Sequence, residues 1–103
     1  MIQQYQKITK YNWGDTLPDI DDPFSDPMLV YLSSKVISMM LDGKTDGKKR
    51  IDSLQPLVVE RFWIDEPAAQ EFKDFLINDL GPKFERTFIS VEIVDNPEYV
   101  PIV

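Results

Sequence analysis

The stretch that decides the fold runs from Leu57 to Val94 and has the sequence LVVERFWIDEPAAQEFKDFLINDLGPKFERTFISVEIV. Residues 57–64 are rich in β-branched and aromatic side chains, a composition that predicts a strand. Residues 87–94 alternate between two sets of side chains with a period of two, which predicts a second strand. The second half of the chain is therefore expected to begin and end with β-structure.

A helix is predicted between these two strands, over residues 66–80. Asp65 has the side chain of a helix N-cap, Pro67 suits the first helical turn, and Gly81 is typical of a helix end. One helical face carries the apolar residues Ala68, Ala69, Phe72, Phe75, Leu76 and Leu80. The pattern indicates that this face packs against the sheet.

The first half of the chain is predicted to contain a strand over residues 2–11, which alternate well enough for one, and a helix near residues 27–42. A strand was the alternative for the second segment, but it would place apolar side chains on both faces between Val36 and Leu41. On a helix, a narrow polar stripe lies opposite the apolar arc. The stripe consists of Tyr31, Ser34, Lys35, Ser38 and Asp42, and the arc of Met28, Leu29, Leu32, Val36, Met39 and Met40. Asp26-Pro27 resembles a helix start and Gly43 a helix end.

Residues 49–54 form a short charged run that suits an exposed sheet edge. The predicted order is β-α-β-β-α-β, a ferredoxin-like α+β fold with a four-stranded antiparallel sheet and two helices on one face. Residues 1–103 are expected to form a single domain. A long acidic loop over residues 12–26 and a C-terminal tail over residues 95–103 complete the predicted organisation.

Composition excludes several classes of function. The net charge is −7, with 18 acidic and 11 basic residues, which disfavours nucleic-acid binding. Cysteine and histidine are absent, so a thiolate or imidazole metal site is excluded, and we expect no metal and no cofactor. No apolar run reaches the length of a membrane span, so we expect no membrane partner and a cytoplasmic location.

Two motifs favour structural interpretations. Gly43-Lys44-Thr45 is similar to part of a phosphate-binding loop, but Ser38 stands where the first glycine of that motif belongs, and Gly43 closes a helix instead of opening one. A set of four acids, Asp15, Asp19, Asp21 and Asp22, lacks the spacing of a calcium loop and suits a solvated connector better than a cation site.

Charged and aromatic residues on the strand 57–64 offer the candidate site. Glu60 and Glu92 are expected to share a sheet face, where ion pairing or plain solvation is favoured over a catalytic base. Arg61 can hold an anionic ligand and Trp63 can stack on a planar one, although a tryptophan in this position more often belongs to the core or to a dimer surface. Apolar side chains on both faces of this strand predict a homodimer.

Residues 58–72 resemble the dimeric α/β-barrel proteins, a family that includes the antibiotic-biosynthesis-type monooxygenases. The resemblance rests on Trp63, Asp65-Glu66, Ala68-Ala69 and Phe72. It implies a homodimer whose two sheets pack face to face. It also implies a pocket between helices and sheet, lined by Arg61, Trp63, Tyr11 and Asn12.

Three functional hypotheses follow from the fold class and the resemblance. The first is a small homodimeric accessory protein of unknown specific function that binds a small-molecule ligand or another protein. The alternative is a cofactor-independent monooxygenase-like enzyme that acts on a small aromatic or polyketide-like substrate, a reaction that needs no histidine. A structural or assembly protein is the third. A cavity of a few hundred cubic ångströms beside convergent polar groups would favour the enzyme.

Overall fold

The computed structural model describes residues 4–14, 27–54 and 56–100. Within them lie four strands and two main helices, in the predicted order β-α-β-β-α-β. The elements are β1 (Lys7–Gly14), α1 (Pro27–Leu41), β2 (Lys49–Leu54), β3 (Leu57–Trp63), α2 (Glu66–Phe75) and β4 (Ser90–Asp95). After α2 the backbone continues as a π-helical turn, Leu76–Leu80, and a short helical segment, Gly81–Lys83.

The four strands form one antiparallel sheet in the order β2-β3-β1-β4, which confirms the predicted fold class. β3 and β1 occupy its centre, and they carry the most buried strand residues. β2 is an edge strand, as its charged composition predicts. A register shift between Ile51 and Ser53 interrupts its pairing with β3, a feature that discourages edge-to-edge association.

Two predicted helix ends are confirmed by their hydrogen bonds. Gly43 has a φ of +75°, and the amide of Lys44 donates to the carbonyl of Met39 at 3.0 Å. This is the usual geometry of a helix that ends at a C-terminal glycine cap. At the start of α2, the carboxylate of Asp65 accepts from the amide of Ala68 at 3.0 Å. The predicted cap Asp26 lies outside the described residues.

The predicted helix end at Gly81 is wrong. Gly81 has helical dihedral angles, and its amide donates to the carbonyl of Leu76, five residues back. Pro82 follows, and a proline in a helix has no amide donor and crowds the carbonyl four residues before it. The wider π-helical turn before Pro82 lets the helix continue to Lys83. Glycine is needed here because a Cβ would lie 2.8 Å from the carbonyl oxygen of Arg86.

The boundaries of the outer strands differ from those predicted. β1 spans residues 7–14, so residues 4–6 of the predicted strand 2–11 precede it, and residues 2 and 3 lie outside the described residues. Residues 12–14 of the predicted acidic loop belong to β1, and Trp13 is buried. The rest of that loop, residues 15–26, lies outside the described residues. β4 begins at residue 90 instead of 87, and it includes Asp95, which had been assigned to the tail.

Phe72 lies at the centre of the core between α2 and the sheet, as the apolar stripe predicts. Its side chain has no exposed surface, and its ring contacts those of Trp63, Tyr11 and Phe75 at centroid distances of 4.7, 5.9 and 6.1 Å. These contacts join α2 to both central strands. Burial of large aromatic side chains of this kind is the main source of stability in a small domain.

The helical phase of α1 is partly different from the predicted one. Leu32, Val36 and Met39 are buried as expected. Tyr31, assigned to the polar stripe, instead stacks on Phe75 and donates to the carboxylate of Asp79 at 2.9 Å. Conversely, Met40 of the predicted apolar arc is exposed. The difference arises because α1 faces the α2 segment as well as the sheet.

The sheet face away from the helices is partly covered by the chain itself. Phe62 is fully buried there, with the guanidinium of Arg50 above its ring at 5.1 Å. Glu60 is buried too and accepts from Arg50 Nε at 3.1 Å, while Lys10 Nζ lies 3.8 Å from it. The structure thus has Glu60 ion-paired, as expected. In the part of the chain that the structure describes, no helix is both long and apolar enough to cross a membrane.

Candidate functional site

A cavity of about 90 Å³ lies between α1 and the β2–β3 side of the sheet. It exists because α2 covers β1, β3 and β4 closely, whereas α1 packs mainly against the π-helical turn. The N-terminal half of α1 therefore leaves a space above the sheet. The described residues that line it are Tyr11, Trp13, Leu29, Leu32, Ser33, Lys49, Ile51, Leu57, Val59 and Arg61.

Arg61 brings a nearly buried positive charge to this cavity. Only 8% of its surface is exposed. Its Nε donates to the hydroxyl of Tyr11 at 3.1 Å, and its Nη1 donates to the carbonyl of Gly47 at 3.3 Å. Both acceptors are neutral, so among the described residues the guanidinium is held in position but its charge has no carboxylate partner. Burying a charge without a counter-charge is costly.

Lys49 lies directly opposite Arg61 on the neighbouring antiparallel strand, so two positive charges face each other. Like charges at opposed positions destabilise a sheet. Burial on the cavity side lowers the pKa of the Lys49 ammonium, and the neighbouring charge of Arg61 lowers it further. Carboxylate partners are present for five other cations of the described chain, namely Lys7, Lys10, Lys35, Lys44 and Arg50. Three further lysines, Lys48, Lys73 and Lys83, have none among the described residues, but they do not line the cavity. Lys49 and Arg61 have none among the described residues.

The rest of the cavity wall is mainly apolar. α1 contributes two leucine side chains, β3 and β2 contribute valine, leucine and isoleucine side chains, and Trp13 of β1 also lines the cavity. Ser33 supplies the one hydroxyl on the helix side among the described lining residues. An apolar space with a few convergent polar groups is the usual form of a small-molecule site. The groups present here suit a ligand with a negative head and a short apolar body.

The structure places only two of the four predicted site residues at the cavity. Tyr11 and Arg61 line it and bond to each other. Trp63 is fully buried and packs its ring against Phe72, so it belongs to the core. Asn12 points by alternation to the opposite sheet face from Tyr11, and its Oδ1 accepts from the amide of Gly14 at 2.8 Å.

Sequence reasoning missed Lys49. The charged run 49–54 predicts an exposed sheet edge, and the structure confirms it, since β2 is an edge strand and Lys49 is exposed. That prediction gave Lys49 no part in the site. The available signal was the alternation of the strand, which puts Lys49 on the same face as Ile51. Ile51 pairs with Val59 and lines the cavity. Lys49 lies opposite Arg61 because of the register between β2 and β3, which could not be predicted from the sequence.

A second space, an open groove of about 740 Å³, lies between the π-helical turn and β4. Its two charged lining residues are Glu85 and Arg86. The guanidinium of Arg86 is already engaged, because it donates to the carbonyl of Trp13 and lies over the ring of that residue. Arg86 is only half-buried and Glu85 is exposed, so the groove has no buried charge comparable to that of Arg61 in the α1 cavity.

A metal site is not formed by the described residues, in which no group of three acidic side chains is close enough to hold an ion. The four aspartates weighed as a cation site, at positions 15, 19, 21 and 22, lie outside the described part of the chain. The comparisons with known proteins add no further assignment. No family model, no curated protein sequence and no solved structure matches the chain.

Proposed function

We propose that this protein binds a small organic anion in the cavity between α1 and the sheet. The observation that carries the proposal is that Arg61 and Lys49 lie opposite each other on adjacent strands of the sheet wall of that cavity, without a carboxylate partner among the described residues. An anion between the two groups removes their mutual repulsion and supplies the counter-charge that the buried guanidinium lacks. The ligand thereby stabilises the fold that binds it.

Each polar group has a distinct role in the proposed complex. Arg61 offers the N–H donors that Tyr11 and Gly47 leave unused, and a guanidinium fork suits a carboxylate. Lys49 contributes a second charge from the edge strand. Tyr11 accepts from Arg61, so its own O–H proton remains available to donate to the ligand. Together these groups fix the head of the ligand.

The size of the cavity limits the ligand. A dry cavity of about 150 Å³ is known to bind benzene. At about 90 Å³, the enclosed part of this site suits a smaller body. We therefore propose a short aliphatic carboxylate with about four to six non-hydrogen atoms inside the cavity.

The proposal extends to a homodimeric accessory protein of the dimeric α/β-barrel kind. The α+β fold is compatible with that architecture. The predicted interface face carries less apolar surface than the sequence indicated, because Phe62 is buried within the chain. Ile64, which is 43% exposed, remains available for a partner sheet. Val58 is half-buried at the same face and supports the same proposal.

The alternative prediction, a cofactor-independent monooxygenase-like enzyme, has less support. A small aromatic or polyketide-like substrate needs more room than the cavity of about 90 Å³ offers. The hydrogen bond between Arg61 and Tyr11 suits a site that orients an anion, and this role requires no chemical reaction. Ligand binding is therefore the function that the geometry favours.

Calorimetric titration with butyrate tests the proposal. We expect saturable binding of the native protein, and a loss of affinity of about tenfold or more in Lys49→Met, because one of the two charges is removed. Lys48→Met is the matched control, since Lys48 is the exposed neighbour on the chain and does not line the cavity. Equal binding by the native protein and Lys49→Met, or binding of 1-butanol as tight as that of butyrate, would refute the anion site.

A further inference from the structure

We infer that the Lys49 amine captures 2-oxo acids as an imine, with Arg61 holding their carboxylate. This inference rests on the proposed anion site and names the class of ligand that the site takes. It adds a covalent step at Lys49. Binding of an anion needs only a positive charge at this position, whereas the covalent step needs the primary amine of a lysine.

The geometry that carries the inference is the cross-strand pair. Lys49 and Arg61 are directly opposed, and side chains at such positions start about 4.5–5.5 Å apart at Cβ. A 2-oxo acid has its carboxylate and its ketone on adjacent carbons. When the carboxylate lies against the guanidinium, the ketone carbon lies on the side of the opposed strand. The apolar wall formed by Leu29, Leu32 and Val59 then receives the alkyl end of the acid.

Lys49 differs from the other lysines of the described chain in a way that suits a nucleophile. Four of them form ion pairs with carboxylates, namely Lys7, Lys10, Lys35 and Lys44. Lys83 lies over the rings of Tyr31 and Phe84. Lys48 and Lys73 do not line the cavity.

The surroundings of Lys49 also favour the neutral amine, which is the reactive form. Desolvation beside an apolar wall and a neighbouring cation both shift the pKa of Lys49 downward. These are the two influences that activate amines toward carbonyl compounds. The residue also sits on an exposed edge strand, so a ligand can reach it from solvent.

The covalent step balances without any further reactant. The nitrogen lone pair of the neutral Lys49 amine forms a C–N bond to the ketone carbon, and the C=O π electrons move to oxygen. The carbinolamine that results loses the former ketone oxygen with both protons of the amine as one water molecule. The C=N double bond of the imine remains, and no atom changes its overall oxidation level.

Reductive trapping tests the inference. The full chain is incubated with 2-oxobutyrate and sodium cyanoborohydride, and peptide mass mapping locates the reduced adduct. We expect labelling of Lys49 to be faster than labelling of Lys48, since a lowered amine pKa raises the fraction of the neutral, reactive form. Lys49→Met should lose this fast adduct, Lys48→Met should keep it, and excess butyrate should slow it by competition.

The outcomes separate the imine from the anion site on which it rests. If butyrate binds by calorimetry but Lys49 is labelled no faster than Lys48, the imine inference is wrong and the anion site stands. If butyrate does not bind and fails to slow the labelling, the proposed function fails as well. Fast labelling that persists in Lys49→Met would place the reactive amine elsewhere and overturn the inference.

Discussion

The Nε of Arg61 lies 3.1 Å from the hydroxyl oxygen of Tyr11, and this bond joins the two central strands beneath the cavity. Tyr11 itself is 99% buried, with its ring against Phe72 and Trp13. The guanidinium is therefore fixed by a side chain that belongs to the hydrophobic core. Because Tyr11 both packs in the core and holds the Arg61 guanidinium, folding of the core fixes the position of the binding group.

Truncation of Phe72 should be the most costly change on α2. We expect Phe72→Ala to lower the free energy of unfolding by about 3–5 kcal/mol, because a fully buried ring in contact with Tyr11, Trp63 and Phe75 is lost. Chemical denaturation measures this, with the exposed Gln70→Ala as control. An unchanged midpoint for Phe72→Ala would contradict the central position of this ring.

Gly81→Ala should destabilise the protein although it adds a better helix former. At an ordinary helical position this substitution is favourable. Here the new Cβ would lie 2.8 Å from the carbonyl oxygen of Arg86 and 3.0 Å from that of Leu76, so the backbone must shift at a cost of about 1–3 kcal/mol. Thermal denaturation beside the exposed helical control Asn78→Ala checks the sign. A higher midpoint for Gly81→Ala would mean that the turn is looser than described.

The ion pairs of Glu71 should make stability depend on pH in the acid range. Lys44 and Lys35 lower the pKa of the Glu71 carboxyl below its ordinary value of 4.5. A lowered pKa in the folded state stabilises the protein above the ordinary value, and this stabilisation is lost as the pH falls through the folded-state pKa. Glu71→Gln should therefore be destabilising at pH 7 and progressively less so on acidification toward pH 3.

Unfolding curves of the native protein and Glu71→Gln at several pH values measure this difference. Glu92→Gln is the control, because Glu92 is exposed and has no ion pair to a described residue. A difference between native protein and Glu71→Gln that stays constant from pH 7 to pH 3 would show that the two lysines contribute nothing through the charge of Glu71.

The proposed homodimer predicts a sedimentation-equilibrium mass of twice the 12.0 kDa chain at micromolar concentration. If the sheets pack face to face, Ile64→Asp should dissociate the dimer, because it places a charge among apolar side chains of that face. Ile37→Asp, at an exposed position of α1, should leave it intact. A monomer mass for the native chain would contradict the homodimer, and dissociation by Ile37→Asp alone would move the interface to α1.

The order of elements was predictable because each signal was local. Three local signals were confirmed, namely Asp65, Gly43 and the β-branched and aromatic composition of β3. Each specifies its structure through neighbours on the chain. Gly81 misled because its role depends on the carbonyl of Arg86, a contact that only the folded turn creates. The sequence does not distinguish a glycine that leaves room for a nearby carbonyl, such as Gly81, from one that adopts a positive φ angle, such as Gly43.

The candidate site was only half predictable, for a similar reason. Arg61 was predicted because a guanidinium suits an anionic ligand, and Tyr11 because the resemblance to the dimeric α/β-barrel proteins implies a pocket that includes it. Lys49 acquires its position from the pairing of β2 with β3 and from the gap beneath α1. Trp63 was named for its chemistry, yet the fold commits its ring to the core. Register and helix placement are non-local, and they decide which side chains face the cavity.

The most direct test of the anion site is the nuclear magnetic resonance signal of the Arg61 Nε–H group during titration with butyrate. Binding of butyrate beside Arg61 should shift this signal saturably with a dissociation constant of about a millimolar, as a ligand of this size allows. The shift should need about tenfold more butyrate in Lys49→Met and the native amount in Lys48→Met. A signal that stays unmoved to saturating butyrate, or one that moves equally with 1-butanol, would contradict the anion site.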